Sequence, residues 1–214
     1  MKNSKNELPI VRIKNAWLLR ENASVLINEL KGDGQPLRSD EYYSKITKKY
    51  AKAWAPYEYK IMNGITNILG LDFRQNIIDV HIAPWFMAFS EPMVVGVIFE
   101  PDDFIDVLTH EMLHRLLTDN TLIPHETKLK PEWQKLFGKN HTFNALVHIP
   151  VHAVHKAIFF DVLKEPARYD REISMLKKSN SVDYLAAWDY VEEQGYKQII
   201  DQLKKSYKEL AKNS

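Results

Sequence analysis

Cysteine is absent from all 214 residues. Its absence excludes disulfides, thiolate-ligated zinc structures and a cysteine nucleophile, and leans toward a reducing, cytoplasmic setting. Charge of one sign is missing too: Lys+Arg 29 against Asp+Glu 28 leaves a net +1. Only the C-terminal KKSYKELAKNS concentrates basic residues, and it reads as a frayed helix end. A nucleic-acid partner is therefore not expected. No stretch reads as long and apolar enough to cross a membrane, because Pro84, Glu91, Pro92 and Gly96 interrupt the most apolar one, IAPWFMAFSEPMVVGVIF. MKNSKNELPIVRIKN has no apolar run of the kind a secretory signal needs. At 45% hydrophobic residues, the chain can bury one sizeable core, and a single compact unit is expected.

Along the chain, IVRIK alternates apolar and charged residues as a short strand, and Leu19, Ala23, Leu26 and Leu30 then follow at helical spacing until KGDG. Residues 32 to 38 read as a linker, which sets off an N-terminal extension, 1–38. A long helical region should run from Asp40 to Leu69, acidic in its first turn, broken at Pro56 and closed by Gly70. Its aromatic residues read as packing. NIIDVHIAPW and MVVGVIFE have strand composition, and a helix should start at PDDF and fade near Asp119 and Asn120. The segment 39–120 thus holds helices, sheet and a second long helix. In 121–214 a short PEWQKLFG helix, the apolar helix HTFNALVHIPVHAVHKAIFFDVLKEP and two or three amphipathic helices follow, divided near Pro166, KKSNS and Gly195. The fold class is α+β, mostly helical.

The second long helix carries His110-Glu111-x-x-His114. A chance match of this kind arises in roughly one chain in fifty of this composition, so context must decide. On a helix, residues i and i+4 share a face, and both imidazoles can point at one metal ion. Glu111 lies about 100° around the helix, too far to be a third ligand but able to reach a water on the metal. There a carboxylate serves as general base while zinc lowers the water's pKa toward about 7.

With His110, Glu111 and His114 in this order, the chain resembles the zincin metallopeptidases. The resemblance covers roughly residues 76 to 120 and implies a motif helix beneath a small twisted sheet, whose edge strand aligns an extended substrate; MVVGVIFE is a candidate for that edge. A metzincin-like chain would place Gly three residues and His or Asp six residues after His114, where Leu117 and Asn120 stand, so that subfamily is disfavoured. Other zincins take the third ligand from a later helix. In this chain His141, His148, His152 and His155 recur at spacings compatible with one helical face. His152 is the first candidate for third ligand and His148 the second, with His155, Glu165 and Glu126 behind them. Whichever of the first two does not ligate could orient a ligand or stabilise an oxyanion. Pro150 either bends this helix or marks its start, leaving His148 in the preceding turn.

Each candidate has a plainer reading. His110 and His114 could be helix-surface residues, and His148, His152 and His155 hydrogen-bonded core histidines. Asp106 reads as a solvated charge rather than a partner of His110, His81 and His125 as surface or loop residues, and Trp85 and Phe86, beside the strands, as residues that could shape a substrate pocket. The expectation is a zinc metallopeptidase acting on a peptide or protein segment. Its rivals are a non-peptidase zinc hydrolase and a binding module with a structural or vestigial metal site.

Overall fold

The computed structural model describes residues 7–17, 38–84, 88–125 and 127–212. The helix expected over Leu19 to Leu30, the linker before Arg38, Trp85, Phe86 and Glu126 lie outside them. Contacts divide the chain into two units, one containing Pro9–Tyr59 and Gln75–Met112, the other Met1–Leu8, Lys60–Arg74 and Leu113–Ser214. The fold is α+β and mostly helical, with a small mixed sheet.

The first unit holds that sheet, in the order β1-β2-β4-β3. Strand β1 (Ile10–Asn15) pairs in parallel with β2 (Ile77–Ala83), placing Arg12 opposite Asp79. Arg12 and Lys14 both hold the Asp79 carboxylate at 2.7 Å. Ile78, Val80 and Ile82 are buried while Asp79 and His81 stay half-exposed, which is the alternation seen in the sequence. Strand β3 (Ala88–Ser90) runs antiparallel to β4 (Met93–Gly96), and β4 is parallel to β2. The expected edge strand is therefore corrected: all four residues of β4 are buried in the sheet interior, as their continuous apolar run befits, and β3 takes the edge.

Helices α1 (Asp40–Leu69) and α2 (Pro101–Thr118) each pass through both units. In the sheet unit Tyr50 of α1 stacks on Phe104 of α2 at 4.1 Å, and its hydroxyl donates to Phe99 O at 2.6 Å. Tyr43, Tyr50 and Trp54 are buried and serve packing as expected, whereas Tyr42, 36% exposed, and Tyr59, 74% exposed, lie at the surface and correct that expectation. No break occurs at Pro56. Pro56 and Lys52, whose carbonyl loses its helical partner there, are both exposed, so water satisfies that carbonyl. Pro101 and the carboxylates of Asp102 and Asp103 open α2 where expected.

The second unit is helical: α3 (Leu129–Phe137), α4 (Phe143–Ala157) continuing as a π-helical turn over Ile158–Leu163, α5 (Ala167–Lys178), α6 (Val182–Gln194) and α7 (Tyr196–Lys212). Thr142 caps α4 by accepting from Ala145 N at 3.1 Å. The helix runs through Pro150, so His148 is helical; burial of most of α4 outweighs the proline's cost. His141 lies before the helix, its Nε2 against Phe137 O at 3.1 Å, and leaves the histidine face at three. Phe143–Leu163 also corrects the membrane expectation: among the described residues it is the one helix long and apolar enough to span, and 72% of its apolar window is buried inside the fold, as in a core helix. KKSYKEL does not fray, since Ser206 and Tyr207 are buried on α7.

Candidate metal centre

On α2 the motif residues sit at graded depth: His110 is 9% and Glu111 8% exposed, and His114, one turn on, is half-buried. Ile105, Leu108, Met112 and Leu116 occupy the buried face that holds the helix in place. Asp106, expected in solvent, is buried one turn before His110.

On α4 His148 and His152 are one turn apart, 4% and 0% exposed. Helix α6 fixes both rings with an aromatic pair at the same spacing. Tyr184 lies 4.0 Å from the His148 ring, and Trp188 stacks on His152 at 4.2 Å with only 10° between planes. His148 Nδ1 lies 2.6 Å from Asn144 O. A carbonyl only accepts, so Nδ1 carries the proton and the lone pair sits on Nε2. That lone pair faces His114 Nε2 at 3.2 Å, and in the metal-free chain the latter donates across the gap. Two nitrogens on one tetrahedral zinc stand about 3.3 Å apart at the usual bond lengths. The same spacing therefore suits a shared proton or a shared ion.

Within the helical unit, ligand atoms of His114 and His148 lie within 4.8 Å of one another, and those of His152 and Glu172 form a second such pair; His110 precedes His114 by one turn of α2. The structure thus brings His114, the second motif histidine, together with His148. His152, the first candidate, meets Glu172 instead. His155 lies beside that group, its Nδ1 3.4 Å from Glu172 Oε2. Glu165 belongs to neither group and accepts from Arg168 Nε at 2.6 Å. Glu172 was missed because α5 reads as an amphipathic surface helix, and only its spacing of one turn from Arg168 hinted at an ordered charge. Among the remaining histidines, His81 is half-exposed on β2 and His125 is exposed in a turn.

Burial sets the protonation states. The Glu111 carboxyl, desolvated in the metal-free chain, is pushed up to about 8. His114 is pulled down to about 3 by burial and then by His148. His148 and, more strongly, His152 are lowered, first by burial in each case. Neutral imidazoles are the form that binds metal. His114 and His148, with His152 and Glu172 a turn away, can thus bind a metal ion, and imidazoles without a thiolate are a donor set that zinc accepts. No family model, curated protein or solved structure matches the chain.

Proposed function

We propose that the chain is a zinc metallopeptidase of the zincin kind, with His110, His114 and His148 as metal ligands and Glu111 as general base. The observation that carries this reading is the convergence of His114 Nε2 and His148 Nε2 at 3.2 Å, one helical turn from His110 and beside a buried glutamate. Zinc bound there supplies Lewis acidity, which acidifies water and polarises a carbonyl.

The chain's own groups divide the remaining work. His148 is oriented by its Nδ1–H donating to Asn144 O, which keeps Nε2 directed at His114. His152 is held flat against Trp188 and packs behind His148, their ring centres 5.5 Å apart. Near a cation the Glu111 carboxylate returns to its charged form, and its oxygen takes the proton from the attacking water and passes it to the leaving amine nitrogen. The end position of β3 in the sheet supports an extended peptide as substrate.

Glu111→Gln tests the reading on a quenched-fluorescent peptide library. Hydrolysis should fall by about 10²–10⁴-fold while metal content stays near that of wild type. A variant that cleaves as fast as wild type overturns the mechanism, and a wild type that cleaves only non-peptide amides or esters overturns the substrate class.

A further inference from the structure

Glu172 and His152 take no part in the proposed catalytic set, yet both lie inside the helical unit. His152 is 0% exposed, His155 1%, and the Glu172 side chain 14%, with His155 Nδ1 3.4 Å from Glu172 Oε2. A carboxylate and two imidazoles are a costly lining for a helical core, and a cation among them offsets that cost. Their chemistry, mixed nitrogen and oxygen donors on facing helices, suits a divalent transition ion. Stacking of Trp188 on His152 prevents that ring from swinging freely, so its nitrogens have fixed directions.

We propose that His152 and Glu172 form a second divalent-cation position inside the helical unit, with His155 beside them. The ligand atoms of His152 and Glu172 lie within 4.8 Å of one another, as do those of His114 and His148. The second position has these two protein donors and completes its coordination with water. It is therefore the weaker position, and it discriminates less strictly among zinc, cobalt and manganese.

Zinc titration of the full chain by calorimetry, with equilibrium dialysis to count bound metal, is the test. Wild type should take up two equivalents, the second at least tenfold weaker than the first. Glu172→Gln should lose the second equivalent and keep the first, whereas His148→Ala should weaken the first and keep the second. Wild type saturating at one equivalent overturns the proposal without recourse to any variant, and is the result expected if the His155–Glu172 pair only anchors α5 to α4. Retention of both equivalents by Glu172→Gln overturns it as well. Peptide hydrolysis by a one-equivalent wild type would leave the proposed function standing while this inference fell.

Discussion

Replacing Asn120 with Ala removes a side chain that ends the motif helix. Asn120 is 0% exposed. Its Nδ2 donates to Leu116 O at 3.0 Å, one of the carbonyls that the end of α2 leaves without a helical partner. Its Oδ1 accepts from Leu122 N at 3.0 Å and Ile123 N at 3.2 Å, folding the chain into a side-chain-closed turn. Each bond contributes about 1 kcal/mol net, and three backbone groups, two of them in buried bonds, lose their partner together, so Asn120→Ala should cost about 3 kcal/mol. For a chain of this size that corresponds to a Tm lower by about 6–12 °C. Circular dichroism at the helical minimum reads the melt. Asn120→Asp keeps the acceptor but loses the donor and buries a charge against Leu116 O; its deficit should be larger at pH 7 than at pH 4, where a protonated carboxyl can donate. A melting point within about 2 °C of wild type for Asn120→Ala would refute the accounting. So would an Asn120→Asp deficit that grows on acidification.

Three further outcomes are expected. Tyr207→Phe removes the hydroxyl that donates to Leu117 O at 2.6 Å, and should lower stability by about 1–2 kcal/mol in urea unfolding without changing zinc affinity. Zinc at about a hundred times its Kd should raise stability by about 2.7 kcal/mol, a gain that His148→Ala sharply reduces and that chelator abolishes in a thermal scan. Asp79 is held at about 2, below its ordinary 3.8, first by hydrogen bonds from Arg12 and then by those from Lys14. Its folded value is depressed, so its contribution is present above the ordinary value and lost as pH falls toward 2; the gap in urea midpoint between wild type and Asp79→Asn should close over that window.

The elements at the site were legible where local chemistry decides them. Pro101 with Asp102 and Asp103 announces the start of α2, and the alternation of Ile78, Val80 and Ile82 announces a half-buried strand. Proline misled at Pro56 and left two readings open at Pro150, because both conflicts are resolved by surroundings the linear pattern does not contain. At one, water receives the orphaned carbonyl; at the other, burial on nearly every side holds the helix together. The edge strand misled for a related reason: an apolar run such as Met93–Gly96 reports burial on both faces, which an interior strand needs and an edge strand does not.

Helical spacing places His148, His152 and His155 on one face but leaves open the height at which a neighbouring helix crosses it. A shift of one turn along α4 exchanges His148 for His152, and the periodicity is unchanged by that shift. What separates the two is the partner each meets. His148 reaches His114 at 3.2 Å, whereas His152, a turn deeper, lies flat against Trp188 and shares a group with Glu172. Glu172 could not be found from its own helix, because α5 is rich in charge and a single buried carboxylate leaves the amphipathic pattern intact. The aromatic pair on α6 offers the missing register signal: Tyr184 and Trp188 are spaced four apart, as His148 and His152 are, and rings at matched intervals on facing helices fix which turn meets which. Removing one ring of the pair by Trp188→Ala should therefore unseat His152 while leaving the His114–His148 pair in place, which proton NMR of the imidazole rings would resolve; an unchanged His152 ring environment would show that the aromatic pair does not set the register.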